Sequence, residues 1–241
     1  MKNLIIIPSR LESARLPGKP LADINGDPMI VHVYKRAVEA NIADVIVATG
    51  NIEIKKVIEN AGGEAILTDP NHPSGSDRIF EAMNIYDPNN SYHNIVNLQG
   101  DLPNIDKKAL SKIVNLLTNN EADISTLGAK IISEVDFGNP NIVKAYVKDI
   151  SISNQVEDFN RKFDEDKNKY LYHHIGIYGY KRESLKRFVE LKQTKEELKR
   201  KLEQMRALEN GMTIVMDLIS KLPISVDTEE DLELAREVIK L

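Results

Sequence analysis

Four apolar residues in a row, Leu4 to Ile7, follow a polar start and stop at Pro8. So short a run without alternation predicts a strand covered on both faces, over residues 3–8. Further strands are predicted at 44–49, 64–67, 94–98 and 124–129. Between them, spacing and breakers predict helices up to about residue 39 and over 52–61, 76–86 and 106–119. The first of these helices follows the turn signal Asn25-Gly26, with Asp27 as its cap and Pro28 at its first position. Strand–helix alternation of this kind predicts a Rossmann-like α/β fold, a mostly parallel sheet with helices on both faces. Such sheets bind ligands at the carboxyl ends of their strands.

After Asp136 the rhythm changes. Strands are expected at 139–147 and 174–180, and residues 150–172 between them are polar without a clear period. The reading is one domain over residues 1–241, with a small β-rich arm or lid inserted at roughly 136–180. Residues 194–210 predict one helix, opened by the capping-box pair Thr194 and Glu197 and striped by Leu198, Leu202, Met205 and Leu208. A strand at 214–218 and a helix at 228–240 complete the chain.

Composition narrows the chemistry. A formal charge of −5 over 241 residues gives no global electrostatic case for nucleic acid. The absence of cysteine excludes disulfides, thiolate catalysis and Cys-based zinc sites. No stretch approaches a membrane span or a secretory leader, so a soluble cytoplasmic protein is expected. Against the acidic trend, residues 1–19 hold Lys2, Arg10, Arg15 and Lys19 with one acid, Glu12, a local balance of +3.

Arg10, Arg15 and Lys19 share the loop that leaves the first strand, stiffened by Pro17 and Pro20 and opened by Gly18. Folded back, they could surround a triphosphate; the plain alternative is a solvated basic loop. It is not a Walker loop, because Pro20 stands where the magnesium-holding Ser or Thr would be. Asp101, just beyond the strand at 94–98, is either a metal carboxylate or part of a Gly-Asp turn. Asp227 is either a second such carboxylate or the cap of the last helix, a role for which Thr228 competes. The segment HPSGSDR at 72–78 suits an anion or a polar heterocycle, or is an ordinary capped loop. His174 and Tyr178 face one side of a strand, while Glu203 and Gln204 lie off the apolar stripe of their helix and meet ligand or water.

The order and wording of these segments are more specific than any one of them. SRLESARLPGKPL, HPSGSDRI, VNLQGDLP, NPNIVK, HHIGIYGYKRESL, LEQMRALENG and VDTEEDLE together resemble the 3-deoxy-manno-octulosonate (Kdo) cytidylyltransferase family across nearly the whole chain. The resemblance implies transfer of CMP from CTP to the anomeric hydroxyl of a 3-deoxy-2-ulosonic acid, with pyrophosphate released and Mg2+ as cofactor. It implies CTP contacts from Pro8, Ser9, Arg10, Arg15, Lys19, Ser74, Arg78 and Gln99, with Arg10, Lys19 and Asp101 catalytic. It places Asp101 and Asp227 on magnesium and His174, Tyr178, Glu203 and Gln204 on the sugar acid. A homodimer serving lipopolysaccharide or surface-polysaccharide synthesis is also implied.

The chain departs from the family pattern at Gly50, at Leu102 and over residues 149–163, where an aromatic–Phe-Ser-Arg stretch is absent and Arg161 is a candidate substitute. Two alternatives follow: a cytidylyltransferase for a related acid such as 8-amino-Kdo or a sialic-acid-like sugar, or a non-catalytic CTP-binding relative.

Overall fold

The computed structural model describes residues 1–119, 121–150, 153–163 and 170–240. The chain divides into two compact units, residues 1–111 with 223–241, and residues 112–222. The expected arm at 136–180 lies within the second.

In the first unit, β1 (Lys2–Ser9) leads through a single 3₁₀ turn, Lys19–Leu21, and a two-strand hairpin, β2 (Asp23–Ile24) and β3 (Asp27–Pro28), into α1 (Met29–Glu39). β4 (Asp44–Thr49), α2 (Ile52–Asn60), β5 (Glu64–Leu67), α3 (Gly75–Tyr86) and β6 (Tyr92–Asn97) follow. The four long strands run parallel in the order β5-β4-β1-β6. Leu4, Ile5, Ile6 and Ile7 are fully buried, as an unalternated central strand requires. The chain first winds outward from β1 to β4 and β5, then returns to β6 on the other side of β1. That reversal opens a crevice at the carboxyl ends of β1 and β6. The loops 10–22 and 98–106 leave those two ends.

One cap expectation fails. Asp27 and Pro28 pair with Ile24 and Asp23 in the hairpin, and α1 begins only at Met29. Asn25 (φ 52°) and Gly26 (φ 100°) both take left-handed conformations, the combination that a tight two-residue hairpin demands. The hairpin therefore claims Asp27, whose carboxylate accepts from Lys35 instead.

α4 (Lys107–Asn119) carries the chain into the second unit, which contains β7 (Ile124–Lys130), α5 (Glu134–Gly138), β8 (Lys144–Asp149), β9 (Ser153–Asn160), β10 (Leu171–Lys181), α6 (Arg182–Glu190), α7 (Lys195–Arg200), α8 (Gln204–Glu209) and β11 (Ile214–Leu218). β10 is antiparallel to β7, β7 parallel to β11, β11 antiparallel to β9, and β9 antiparallel to β8. β8 pairs in turn with the first residues of β10, so the five strands close a circuit. The strand expected from residue 139 begins only at Lys144, after the short α5. Within the segment read as lacking a period, 153–160 form a strand and 171–172 belong to β10, while 151–152 and 164–169 lie outside the described residues. α9 (Glu229–Val238) returns to the first unit, where Val226, Leu232, Ala235 and Ile239 pack with Ile24 and Met29.

The single helix expected over 194–210 is two short helices. Lys201 adopts φ 55°, and its N–H and that of Leu202 both donate to Glu197 O, closing α7. Glu197 and Arg206, nine positions apart, would lie on opposite sides of a straight helix. The break instead brings them into a two-pronged ion pair, Arg206 Nη2 to Glu197 Oε1 at 2.5 Å and Nε to Oε2 at 3.0 Å. Both side chains are buried, and Leu198 of the supposed stripe is exposed.

Candidate active site

The first unit holds all the predicted nucleotide residues. Gly18 (φ 70°) lets the cationic loop fold back, with Gly18 N donating to Leu11 O and Leu11 N to Asn51 Oδ1. This fold delivers Lys19 to two carboxylates. Its Nζ lies 3.1 Å from Asp101 Oδ2 and 3.0 Å from Asp227 Oδ1, and Arg15 Nη2 lies 2.9 Å from Asp227 Oδ2. Asp227 arrives there because Val226 N donates to Asp101 O and Ile224 N to Asn104 Oδ1, pinning the returning chain beside the β6 loop.

The competition for the last helix cap is resolved by division of labour. Thr228 Oγ1 accepts from Asp231 N, and Asp231 accepts from Thr228 N in return, so Asp227 is not needed as a cap. Asp101 does lie in the expected turn, and that turn aims its side chain at Lys19.

Electrostatics follow from this closeness. Burial raises the Asp101 carboxyl and neighbouring Asp227 adds to that, against the opposing pull of Lys19. Burial lowers Lys19, but the two carboxylates outweigh it and its ammonium titrates above the usual range.

Two cavities adjoin this cluster. One, of about 380 Å³, is lined by Arg10, Arg15, Lys19, Asp101 and Asp227 among others. The second, of about 170 Å³, is lined by Arg10, His72, Ser74, Gly75 and Arg78. Pro8, Ser9, Arg10 and Gln99 border both. Ser9 Oγ is buried and has no hydrogen-bond partner among the described residues, so a ligand in either cavity could satisfy it. A Cβ on Gly100 would sit 3.0 Å from Pro8 O, so glycine allows the β6 loop to approach β1 this closely.

Ser74 caps α3, accepting from Asp77 N, and still lines the smaller cavity. The Arg78 guanidinium is buried and donates to Thr68 Oγ1, Asp69 O and Pro70 O, holding the wall of the site. Burial and then the nearby Arg10 lower its pKa. Two guanidiniums set this close favour an anion between them. His72 pairs with Glu81, a contact that sequence alone does not announce.

The predicted sugar residues lie in the second unit. His174 is buried with Nε2 2.9 Å from Thr126 Oγ1, and that hydroxyl donates to Ile177 O at 2.8 Å. The ring then donates from Nε2, leaving Nδ1 as its acceptor. Burial, then His173, lower His174 to about 3, so it is neutral. Its ring meets Tyr178 at 5.4 Å between centroids, so the expected shared side holds across a β-bulge. Burial pushes the Tyr178 hydroxyl well up, with Tyr180 and Glu203 adding to it, which places Glu203 in the same neighbourhood. Gln204 opens α8 and is buried.

Lys144 is fully buried, donating to Asn139 O at 2.5 Å and Arg161 O at 2.9 Å. Arg161 itself donates to Pro140 O, bracing the loop before β8.

Residues 4–214 match the family described as Cytidylyltransferase. A 3-deoxy-manno-octulosonate cytidylyltransferase of Paramagnetospirillum magneticum is 45% identical over 98% of this chain and 97% of its own length. That of Parvibaculum lavamentivorans is 48% identical over 97% and 91%. A solved structure of CMP:2-keto-3-deoxy-manno-octonic acid synthetase complexed with CTP matches 99% of this chain and 98% of its own, with TM-score 0.90 at 34% identity. The likeness therefore covers the cationic loop, both carboxylates and the Glu203–Gln204 turn together, and the chain belongs to the 3-deoxy-manno-octulosonate cytidylyltransferase family.

Proposed function

We propose that this protein transfers CMP from CTP to Kdo, releasing pyrophosphate. One coincidence carries the reading. The cluster of Lys19, Asp101 and Asp227 lies in a chain that matches named Kdo cytidylyltransferases over 97–98% of its length.

Arg10, Arg15 and Lys19 hold the triphosphate, the arginines by two-pronged hydrogen bonds and Lys19 as a point charge. Ser9, Ser74, Arg78 and Gln99 complete the nucleotide pocket. Phosphoryl-type transfer needs positioning and charge neutralisation more than covalent catalysis. The anomeric C2 hydroxyl attacks the α-phosphorus in line and gives up its proton to solvent, a new C2–O–P bond forms, and the bond from the α-phosphorus to the oxygen bridging it to the β-phosphorus breaks, that oxygen leaving with pyrophosphate. Lys19 and Arg15 offset the charge that collects on departing pyrophosphate.

Asp101 and Asp227 fit magnesium. Both carboxylates converge on one cation position, that of the Lys19 ammonium, and magnesium commonly takes one or two carboxylates plus phosphate oxygens. These two residues would hold the ion, whose chemistry is to polarise the α-phosphate and lower the pKa of an attacking hydroxyl. His174, Tyr178, Glu203 and Gln204 orient the sugar acid, with His174 neutral and accepting through Nδ1.

A homodimer fits the exposed Ile132 (92% exposed) and Val135 (79%), apolar side chains that a second copy would cover. A cytoplasmic setting, serving lipopolysaccharide or surface-polysaccharide synthesis, follows from the use of CTP and Kdo.

Pyrophosphate release with CTP, magnesium and a panel of Kdo, 8-amino-Kdo and a sialic acid tests the reading. Preferred turnover of Kdo is expected. Turnover of another acid with Kdo inert overturns the substrate, and CTP binding without turnover on any acid overturns the activity.

A further inference from the structure

The turn between α7 and α8 is held by more than its own backbone. Thr194 and Glu197 form a capping box, so the Glu197 carboxylate is already fixed by Thr194 N at 3.1 Å. The same carboxylate takes both prongs of Arg206. Arg206 stacks its guanidinium over the Phe188 ring, 4.9 Å from the centroid, and presents Nη2 to Glu203 Oε1 at 3.7 Å. Between the partners runs the left-handed Lys201, then Leu202, Glu203 and Gln204. Arg206 N also donates to Glu203 O, so Arg206 meets Glu203 through backbone and side chain alike. A planar fork locked on one carboxylate and stacked on a ring has little freedom left.

We propose that Arg206 is a positioning residue for the sugar acid: anchored on Glu197, it sets where the Glu203 carboxylate and the Glu203–Gln204 turn point. The inference rests on the reading that Glu203 meets the sugar acid. Arg206 touches no substrate in this account and acts through Glu203. A solely structural role would lower the amount of folded protein without separating one substrate from the other. A positioning role raises KM for the sugar acid and leaves CTP alone, because the CTP residues lie on other elements.

The test is a double-mutant cycle on the full chain with Arg206→Met, Glu203→Gln and the pair, each substrate varied separately. Losing a charge-assisted contact predicts a rise in sugar-acid KM of about tenfold or more for each single variant, with CTP KM within about twofold. In the Glu203→Gln background, Arg206→Met should add less than about twofold, because the residue through which it acts has gone. Fully multiplicative effects overturn the inference, as does an unchanged sugar-acid KM in Arg206→Met. If Glu203→Gln alone leaves that KM unchanged, the reading of the sugar site fails and the inference falls with it. Should Arg206→Met not fold, judged by loss of CTP binding, Arg206→Lys keeps the buried charge without the fork. It should show the same selective rise, and a wild-type KM there overturns the proposal.

Discussion

Replacing His174 with Gln should flatten the acid side of the stability profile. The ring is buried, packed against Phe159 and Tyr178, and hydrogen-bonded to Thr126, with no carboxylate among its partners in the described residues to favour the imidazolium. Its pKa of about 3 lies below the ordinary histidine value of about 6.5. The unfolded chain therefore binds a proton between those values that the folded chain refuses. Stability rises with pH through that window, is fully present above about 6.5, and is lost as pH falls towards 3. The slope approaches about 1.4 kcal/mol per pH unit, giving a loss of about 2 kcal/mol between pH 6.5 and 4.5 from this residue. Burial lowers His173 as well, and it slopes the same way in both proteins. The assay is denaturant unfolding from pH 4 to 8, followed by a probe in the second unit. The wild type should lose about 2 kcal/mol more than His174→Gln over that interval. Parallel profiles would show that the buried ring accepts a proton without penalty, and the neutral tautomer assigned to the site would be wrong.

Two further outcomes follow from local geometry. Lys19→Met leaves Asp101 and Asp227 without their ammonium, so manganese, as a magnesium substitute, should bind the CTP-free protein about tenfold more tightly by titration; unchanged affinity would mean the two carboxylates do not share a cation position. Lys201→Gly should raise the denaturant midpoint by the equivalent of about 0.5–1 kcal/mol, because glycine takes φ 55° without a Cβ penalty, whereas Lys201→Val should lower it.

Much of the first unit was legible because its strands are buried on both faces and its helices are bounded by strong breakers. Leu4–Ile7 reads as a central strand because nothing polar interrupts it, and the cations that follow must then sit at a strand end. What escaped depends on contacts distant in sequence. Val156 and Phe159 are both buried but three residues apart, because the β8–β9 register shifts between them; that hides β9 from any search for strict alternation. The stripe over 194–210 imitates one helix, and only the Glu197–Arg206 pair shows why it must break. That nine-residue separation of opposite charges is the signal that could have raised the question. Asp227 was ambiguous in sequence because Thr228 offers the same capping chemistry one residue later. Its place beside Lys19 emerges once Val226 is seen paired to Asp101. The His72–Glu81 contact joins a loop to a helix and leaves no mark on local pattern.

The central claim is that the α-phosphorus of CTP passes to the sugar acid with pyrophosphate as leaving group. Phosphorus NMR of a reaction containing CTP, Kdo and magnesium reads this directly. The three CTP resonances should give way to one phosphodiester signal, that of CMP-Kdo, and to pyrophosphate in equal amount. Release of inorganic phosphate with CDP, or CTP left intact beside folded protein, would contradict it.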